Sequence, residues 1–144
     1  MNSFFKFAGI LFLAFFLSSC ASGPQFGEVQ STFSSLKPGN GRIFVYRIST
    51  LGAAVQPDVA LNGEKIGDAE PQGFFYVDRP AGSYEIMTST EVDRKLSFTL
   101  ESGQTRYIRL NVSWGFFVGH VYPKLVDESE AMEEITMCKY SPGE

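Results

Sequence analysis

Histidine and cysteine are nearly missing from this chain: among 144 residues there is one histidine, His120, and there are two cysteines, Cys20 and Cys138. A protein metal centre draws three or four nitrogen, sulfur or carboxylate ligands from short, characteristic spacings. This inventory supplies no such set, and no metal or cofactor is expected. A nucleophilic relay needs a hydroxyl or thiol partnered by its base and a carboxylate that orients the base. No G-x-S-x-G or comparable signature accompanies His120, which reads as an ordinary strand residue, so no catalytic residue is assigned. Charge is also sparse, with 12 basic against 16 acidic residues and a net charge of −4. Nucleic acid calls for a basic patch and is not an expected partner. No apolar run reaches the roughly 20 residues that cross a bilayer as a helix, and no internal repeat or low-complexity tract occurs.

What is present begins with the first nineteen residues, which stand apart from the rest. Lys6 is their only charge, and residues 7–17 (FAGILFLAFFL) are apolar except for one glycine. That length falls within the roughly 7–15 residues of an export signal. The run has no polar face, so it does not read as a buried amphipathic start. It ends in Leu17-Ser18-Ser19-Cys20, which resembles the lipobox cut by bacterial lipoprotein signal peptidase. Leu17 and the small residues Ser18 and Ser19 suit an extended backbone entering a narrow protease site. The thiolate of Cys20 takes a diacylglyceryl group as a thioether, and the lipoprotein pattern implies acylation of its freed amine as well. Each buried methylene contributes about 0.8 kcal/mol, and two chains hold where one binds only marginally. Cys20 is therefore the expected lipidation site, membrane lipid the first expected partner, and residues 1–19 a signal peptide that is removed. Losing Lys6 takes the net charge from −4 to −5, which disfavours a second, electrostatic hold on anionic lipid. Ala21 follows the cysteine; in Gram-negative lipoproteins an aspartate there commonly retains the protein in the inner membrane. The expected location is the cell envelope, at the outer membrane facing the periplasm.

Residues 20–41 are rich in Ser, Gly, Pro and Gln and read as the lipidated N-terminus and a linker. As free coil they would extend about 25 Å. Phe26, Val29, Phe33 and Leu36 nonetheless recur at helical spacing ahead of Lys37-Pro38-Gly39, so residues 25–36 either stay loose or dock as a short helix.

From residue 42 the apolar period becomes two. Residues 42–48 (RIFVYRI) suit a central strand buried on both faces. Asn62-Gly63 is the strongest short hairpin signal. Residues 73–78 form the next strand, and Arg79-Pro80-Ala81-Gly82 turns the chain, with Pro80 stopping any ladder and Gly82 free to take positive φ. Tyr84, Ile86 and Thr88 alternate, as do Leu96, Phe98 and Leu100. Ile108, Leu110, Val112, Trp114, Phe116 and Val118 then share one parity, in either one strand bent at Gly115 or two strands. Asp127 and Glu130 are placed as a capping box for a closing helix whose apolar face is Ala131, Met132, Ile135 and Cys138. That helix is expected across a sheet edge or an open end, with Lys139 at its C-terminus. Residues 42–144 thus predict an all-β antiparallel sandwich, Ig-like or prealbumin-like with Greek-key connections, of seven to eight strands and a short C-terminal α-helix.

The runs GRIFVYR (41–47), PDVALNGEKIG (57–67), GFFYVDRPAGSYEI (73–86) and WGFFVGHVYPKLVDESEA (114–131) resemble a family of short bacterial lipoproteins, domain of unknown function 2846. LNG-x-x-IG followed by Pro-x-Gly-x-Tyr is also similar to PEGA-type surface β-domains. The resemblance implies an all-β domain on a lipid anchor and brings no activity or site residues, since that family has none assigned.

Other candidates read more plainly. Asp58, Asp68, Asp78 and Asp93 fall at strand ends, as turn aspartates commonly do, and match no calcium loop. Cys138 reads as a buried, inert thiol, and Arg47, Arg106 and Arg109 as an outward basic strip of solvated strand charges. Phe117, flanked by Gly115 and Gly119, is expected on an outer face, either as a partner-binding surface or covered by the N-terminal segment or closing helix. The function these features imply is that of a membrane-anchored, non-enzymatic binding or scaffold domain with an envelope protein partner. The alternative is an envelope protein that binds or processes glycan or peptidoglycan.

Overall fold

A computed structural model describes residues 20–114 and 119–143. Strand β1 (Asn40–Arg47) carries apolar side chains at both parities, and both are covered. Ile43 and Val45 face one core, while Phe44 and Tyr46 face another on the opposite side. Before it lie α1 (Phe26–Val29) and a 3-10 turn, Gln30–Thr32; after it follow β2 (Asp58–Leu61), β3 (Glu64–Asp68), β4 (Gly73–Pro80), β5 (Gly82–Ser89), β6 (Asp93–Leu100), β7 (Thr105–Ser113) and β8 (His120–Val126). Helix α2 (Glu128–Ile135) and the two-residue β9 (Lys139–Tyr140) close the chain.

Five strands form one sheet in the order β8-β7-β1-β4-β9, and four form the other in the order β3-β2-β5-β6. The protein is thus an all-β sandwich with a short C-terminal helix, as the alternation predicts, with β9 as an added strand. Pairing is antiparallel except for β1 with β7 and β4 with β9. Residues 105–126 are two strands rather than one bent strand.

Between the sheets, Ile43, Val45, Val59, Ile66, Ile86, Ile108 and Val121 are fully buried. Each such side chain contributes about 1.5–3 kcal/mol relative to exposure. The alternation predicted for β5 and β6 holds through Ile86, Thr88, Phe98 and Leu100, and the buried Thr88 hydroxyl donates to the Val121 carbonyl at 2.6 Å. Asn62 and Gly63 both take positive φ, 50° and 83°, which matches the twist of the β2–β3 hairpin. Gly82 does not take positive φ, because the chain there passes from one sheet to the other instead of reversing within a hairpin.

The outer face of the five-stranded sheet is too apolar for water, and two segments cover it. Phe26 packs on Phe74 and Phe44 with ring centroids 5.4 and 5.9 Å away, and Phe33 lies 4.7 Å from Tyr76. Arg42 clamps the same segment. Its guanidinium sits 4.4 Å above the Tyr76 ring, binds Asp78 twice at 2.7 and 2.8 Å, and donates to the Ser34 carbonyl at 2.6 Å. Upstream, Gly23 presses its backbone against the Tyr140 carbonyl, an approach that leaves no room for a β-carbon. Of the two readings of residues 25–36, docking is the one observed; residues 21–36 line the domain instead of extending from it.

Helix α2 also lies over this outer face, not at a sheet edge or an open end. Ala131, Ile135 and Cys138 are buried there, as their shared face predicts. The Tyr46 hydroxyl donates to Glu134 at 2.5 Å, and Arg109 pairs with Glu130 and Glu134. Asp127 occupies the N-cap, but its side chain makes no capping hydrogen bond; its carbonyl accepts from Ala131 N–H in the first helical turn. Lys139 belongs to β9, not to the helix end.

Two outcomes follow from this second layer. Phe26→Ala should cost about 3 kcal/mol, read as a lowered urea midpoint. Cys138 reports the same packing through pH. Burial, aided by Glu134, pushes its thiol up to about 12. The folded state keeps that proton where the unfolded chain loses it, so this contribution is complete below about pH 8.5 and is lost as pH rises toward 12. Stability should fall by up to about 1.4 kcal/mol per pH unit in that window. Urea midpoints should decline less steeply with pH in Cys138→Ala, and an unchanged slope would show that the thiol is not the group responsible.

Candidate functional site

One end of the sandwich is organised around a buried cation. The registers place the end of β1 beside the start of β4 (Arg47 with Gly73), the end of β7 beside the start of β8 (Ser113 with His120), and Ser89 beside Asp93. Arg47 continues the inward parity of Ile43 and Val45, so its side chain points between the sheets and is fully buried. Among the described residues no carboxylate meets it. All five of its N–H donors go to backbone carbonyls: Ser49 at 3.1 Å, Val55 at 2.7 Å, Ala69 at 2.8 Å, Leu51 at 2.6 Å and Gly52 at 3.1 Å. Burial lowers the Arg47 pKa, while these acceptors replace the water it has lost. The cation thereby holds the loop of residues 48–57 against the start of the Ala69 segment.

The outward basic strip is therefore not formed. Arg47 is interior, and Arg109 lies under α2 in its acidic pairings. Arg106 donates to the Thr99 carbonyl at 2.9 Å at the other end of the sandwich.

Cys20 emerges at the Arg47 end. It is exposed, and the next residue, Ala21, is buried, with its N–H donating to the Pro71 carbonyl at 3.1 Å. Leu17, Ser18 and Ser19, the expected signal-peptidase recognition residues, lie outside the described residues. So do Gly115 and Phe117, with Phe116 and Val118, and the expected surface around Phe117 is represented only by Gly119, which rests over the end of β7 near Ser113 and Val112. Trp114 corrects the parity argument: it is 80% exposed, not inward. Strand β7 ends at Ser113, and alternation has no force beyond the last paired residue.

Two clusters hidden in the sequence appear here. Asp58 and Asp68 do meet across β2 and β3, but the Lys65 ammonium sits 3.0 Å from each and supplies the cation. Asp78 is bound by Arg42, and Asp93 accepts from the Ser89 hydroxyl. His120 lies between Thr90, 3.4 Å from Nδ1, and Glu91, 3.6 Å from Nε2. Both separations exceed the reach of about 2.6–3.2 Å that proton transfer uses. The adjoining cleft, lined by Val55, Gln56, Pro57, Ser89, Thr90 and Glu91, is shallow, and the contacts tie the β5–β6 turn to β8. Thr90 sits thirty residues from His120 and Glu91 twenty-nine, so no local spacing announced them.

These features define a class: a two-sheet β-sandwich whose N-terminal segment is packed as part of the domain. The chain belongs to the family described as "Protein of unknown function (DUF2846)", which its residues 37–121 match. It is also 32% identical over 141 residues to a Haemophilus influenzae protein named "Uncharacterized protein", spanning 94% of this chain and 84% of that relative. No solved structure matches it.

The Arg47 cluster makes its own prediction. Arg47→Met leaves five carbonyls without their donor and should destabilise the fold by roughly 3 kcal/mol. Arg47→Lys keeps the charge but offers three donors without the planar fork, and it should recover only part of that loss. Urea unfolding of the two variants measures both; a Lys variant equal to the native protein would show that charge alone suffices.

Proposed function

We propose that this protein is a lipid-anchored, non-enzymatic binding or scaffold domain of the bacterial cell envelope, exported by its first nineteen residues and held to the membrane through Cys20. The observation that carries the reading is the setting of Cys20. It is the first residue after the signal-like run, it is exposed, and the chain enters the folded domain at the very next position. A peptidase and an acyltransferase can reach it while everything downstream folds.

The non-enzymatic part rests on the polar groups, which are committed to holding the fold. Arg47, Arg42, Arg109 and Lys65 are each engaged by carbonyls or carboxylates. A binding role suits a rigid sandwich of this kind, and strand β8 offers a sheet edge with Tyr122 exposed on it.

In cells, Cys20→Ala should accumulate as an uncleaved precursor without acyl groups, whereas the native chain should show the mass of a cleaved, acylated product. Normal cleavage of the native chain with no added acyl mass would overturn the anchor. A photo-crosslinker at Tyr122 should trap one defined envelope protein; products confined to the chain itself would count against the partner reading.

A further inference from the structure

We infer that the Cys20 end of the sandwich rests directly on the lipid bilayer, with Trp114, Leu51, Val92 and Met137 dipping into the headgroup region. This deepens the proposed function and rests on the lipidation of Cys20.

Ala21 is buried, Gly23 is pressed on Tyr140, and Phe26 is in the outer core, so no slack separates Cys20 from the domain. Acyl chains on its sulfur would leave from the domain surface itself. A free linker of the same composition would have allowed about 25 Å of separation; the docked segment removes it.

The surface at that end fits the contact. Among the described residues, five large apolar side chains are exposed: Trp114 at 80%, Met137 at 60%, Val92 at 47%, Leu51 at 38% and Tyr122 at 37%. The first four sit at the Cys20 end. Leu51 is in the loop held by Arg47, and Trp114 directly follows the end of β7. Val92 lies in the β5–β6 turn that Thr90 ties to His120, and Met137 precedes Cys138, whose thiol meets the Arg47 carbonyl. Tyr122 lies along the β8 edge, and the opposite end carries none of the five. It is built from turns such as Ser102-Gly103 and Asn62-Gly63. Scattered apolar exposure is ordinary on proteins, but confinement of four of five to one end is not. Tryptophan also suits the headgroup level, where its ring is dry and its N–H stays wet. At this end the acidic Glu91 and Asp93 beside Val92 are matched by the exposed Arg94 and Lys139, so no excess of positive charge marks it for anionic lipid.

Trp114 is the chain's single tryptophan, which makes it a built-in reporter. The acylated protein isolated from cell membranes is reconstituted into phosphatidylcholine vesicles with and without brominated acyl chains. The expected result is a blue-shifted emission, quenched at least about twofold by the brominated lipid, and no stronger when phosphatidylglycerol is added. Replacing Leu51, Val92 and Met137 together by Ser should reverse most of the quenching while the protein still floats with the vesicles. Acylated protein that floats but emits as in water would overturn the inference and leave the anchor standing. Protein lacking acyl mass would overturn the anchor, and with it the inference. A blue shift with purified peptidoglycan and none with vesicles would also overturn it, assigning Trp114 to glycan.

Discussion

Strand β1 has no wet face, and most of the architecture answers to that. A strand whose side chains are apolar at both parities needs a layer on each side. The four-stranded sheet supplies one, over Ile43 and Val45. The other has to come from elsewhere, and the chain uses its two termini: the segment around Phe26 and Phe33, and the helix carrying Ala131 and Ile135. The aromatic character of Phe44, Tyr46, Phe74 and Tyr107 makes this second layer a true core, not a loose cover.

Docking the N-terminal segment has a geometric consequence. It sets Cys20 against the end of the sandwich where Arg47 gathers its five carbonyls, and it removes the spacer that the composition of residues 20–41 suggested. The buried guanidinium and Cys20, the proposed anchor, therefore belong to one arrangement. A loop tied from within by a planar, five-donor cation holds its shape, and a loop that holds its shape can present Leu51 outward without collapsing onto the core. The end bearing Cys20 is apolar at its tips, and the far end is made of polar turns. That polarity is what the proposed seating on a membrane would use.

Much of the strand pattern was legible because period two is a local property. Ile86 and Thr88, Phe98 and Leu100, Ile108 and Leu110, and the Asn62-Gly63 hairpin could all be read from a few neighbouring residues. The double burial of β1 was legible for the same reason. Arg47 was legible in principle, since it shares the parity of Ile43 and Val45, but its charge argued for solvent and its acceptors come from loops on either side of β2 and β3. Trp114 went the other way: its parity argued inward, yet pairing had already stopped one residue earlier.

By itself the sequence determined the export-like run ending at Cys20, the all-β class, the positions of most strands and the inner face of the closing helix. Each of these rests on composition or on spacing within a few residues. Only the tertiary structure decided that residues 21–36 dock, that α2 lies on a sheet face, that Lys65 fills the space between Asp58 and Asp68, and that Leu51, Val92, Trp114 and Met137 gather at the end that bears Cys20. Those facts depend on which strands become neighbours. Register between residues far apart in the chain is set by the summed burial of two cores, which no single stretch of sequence contains.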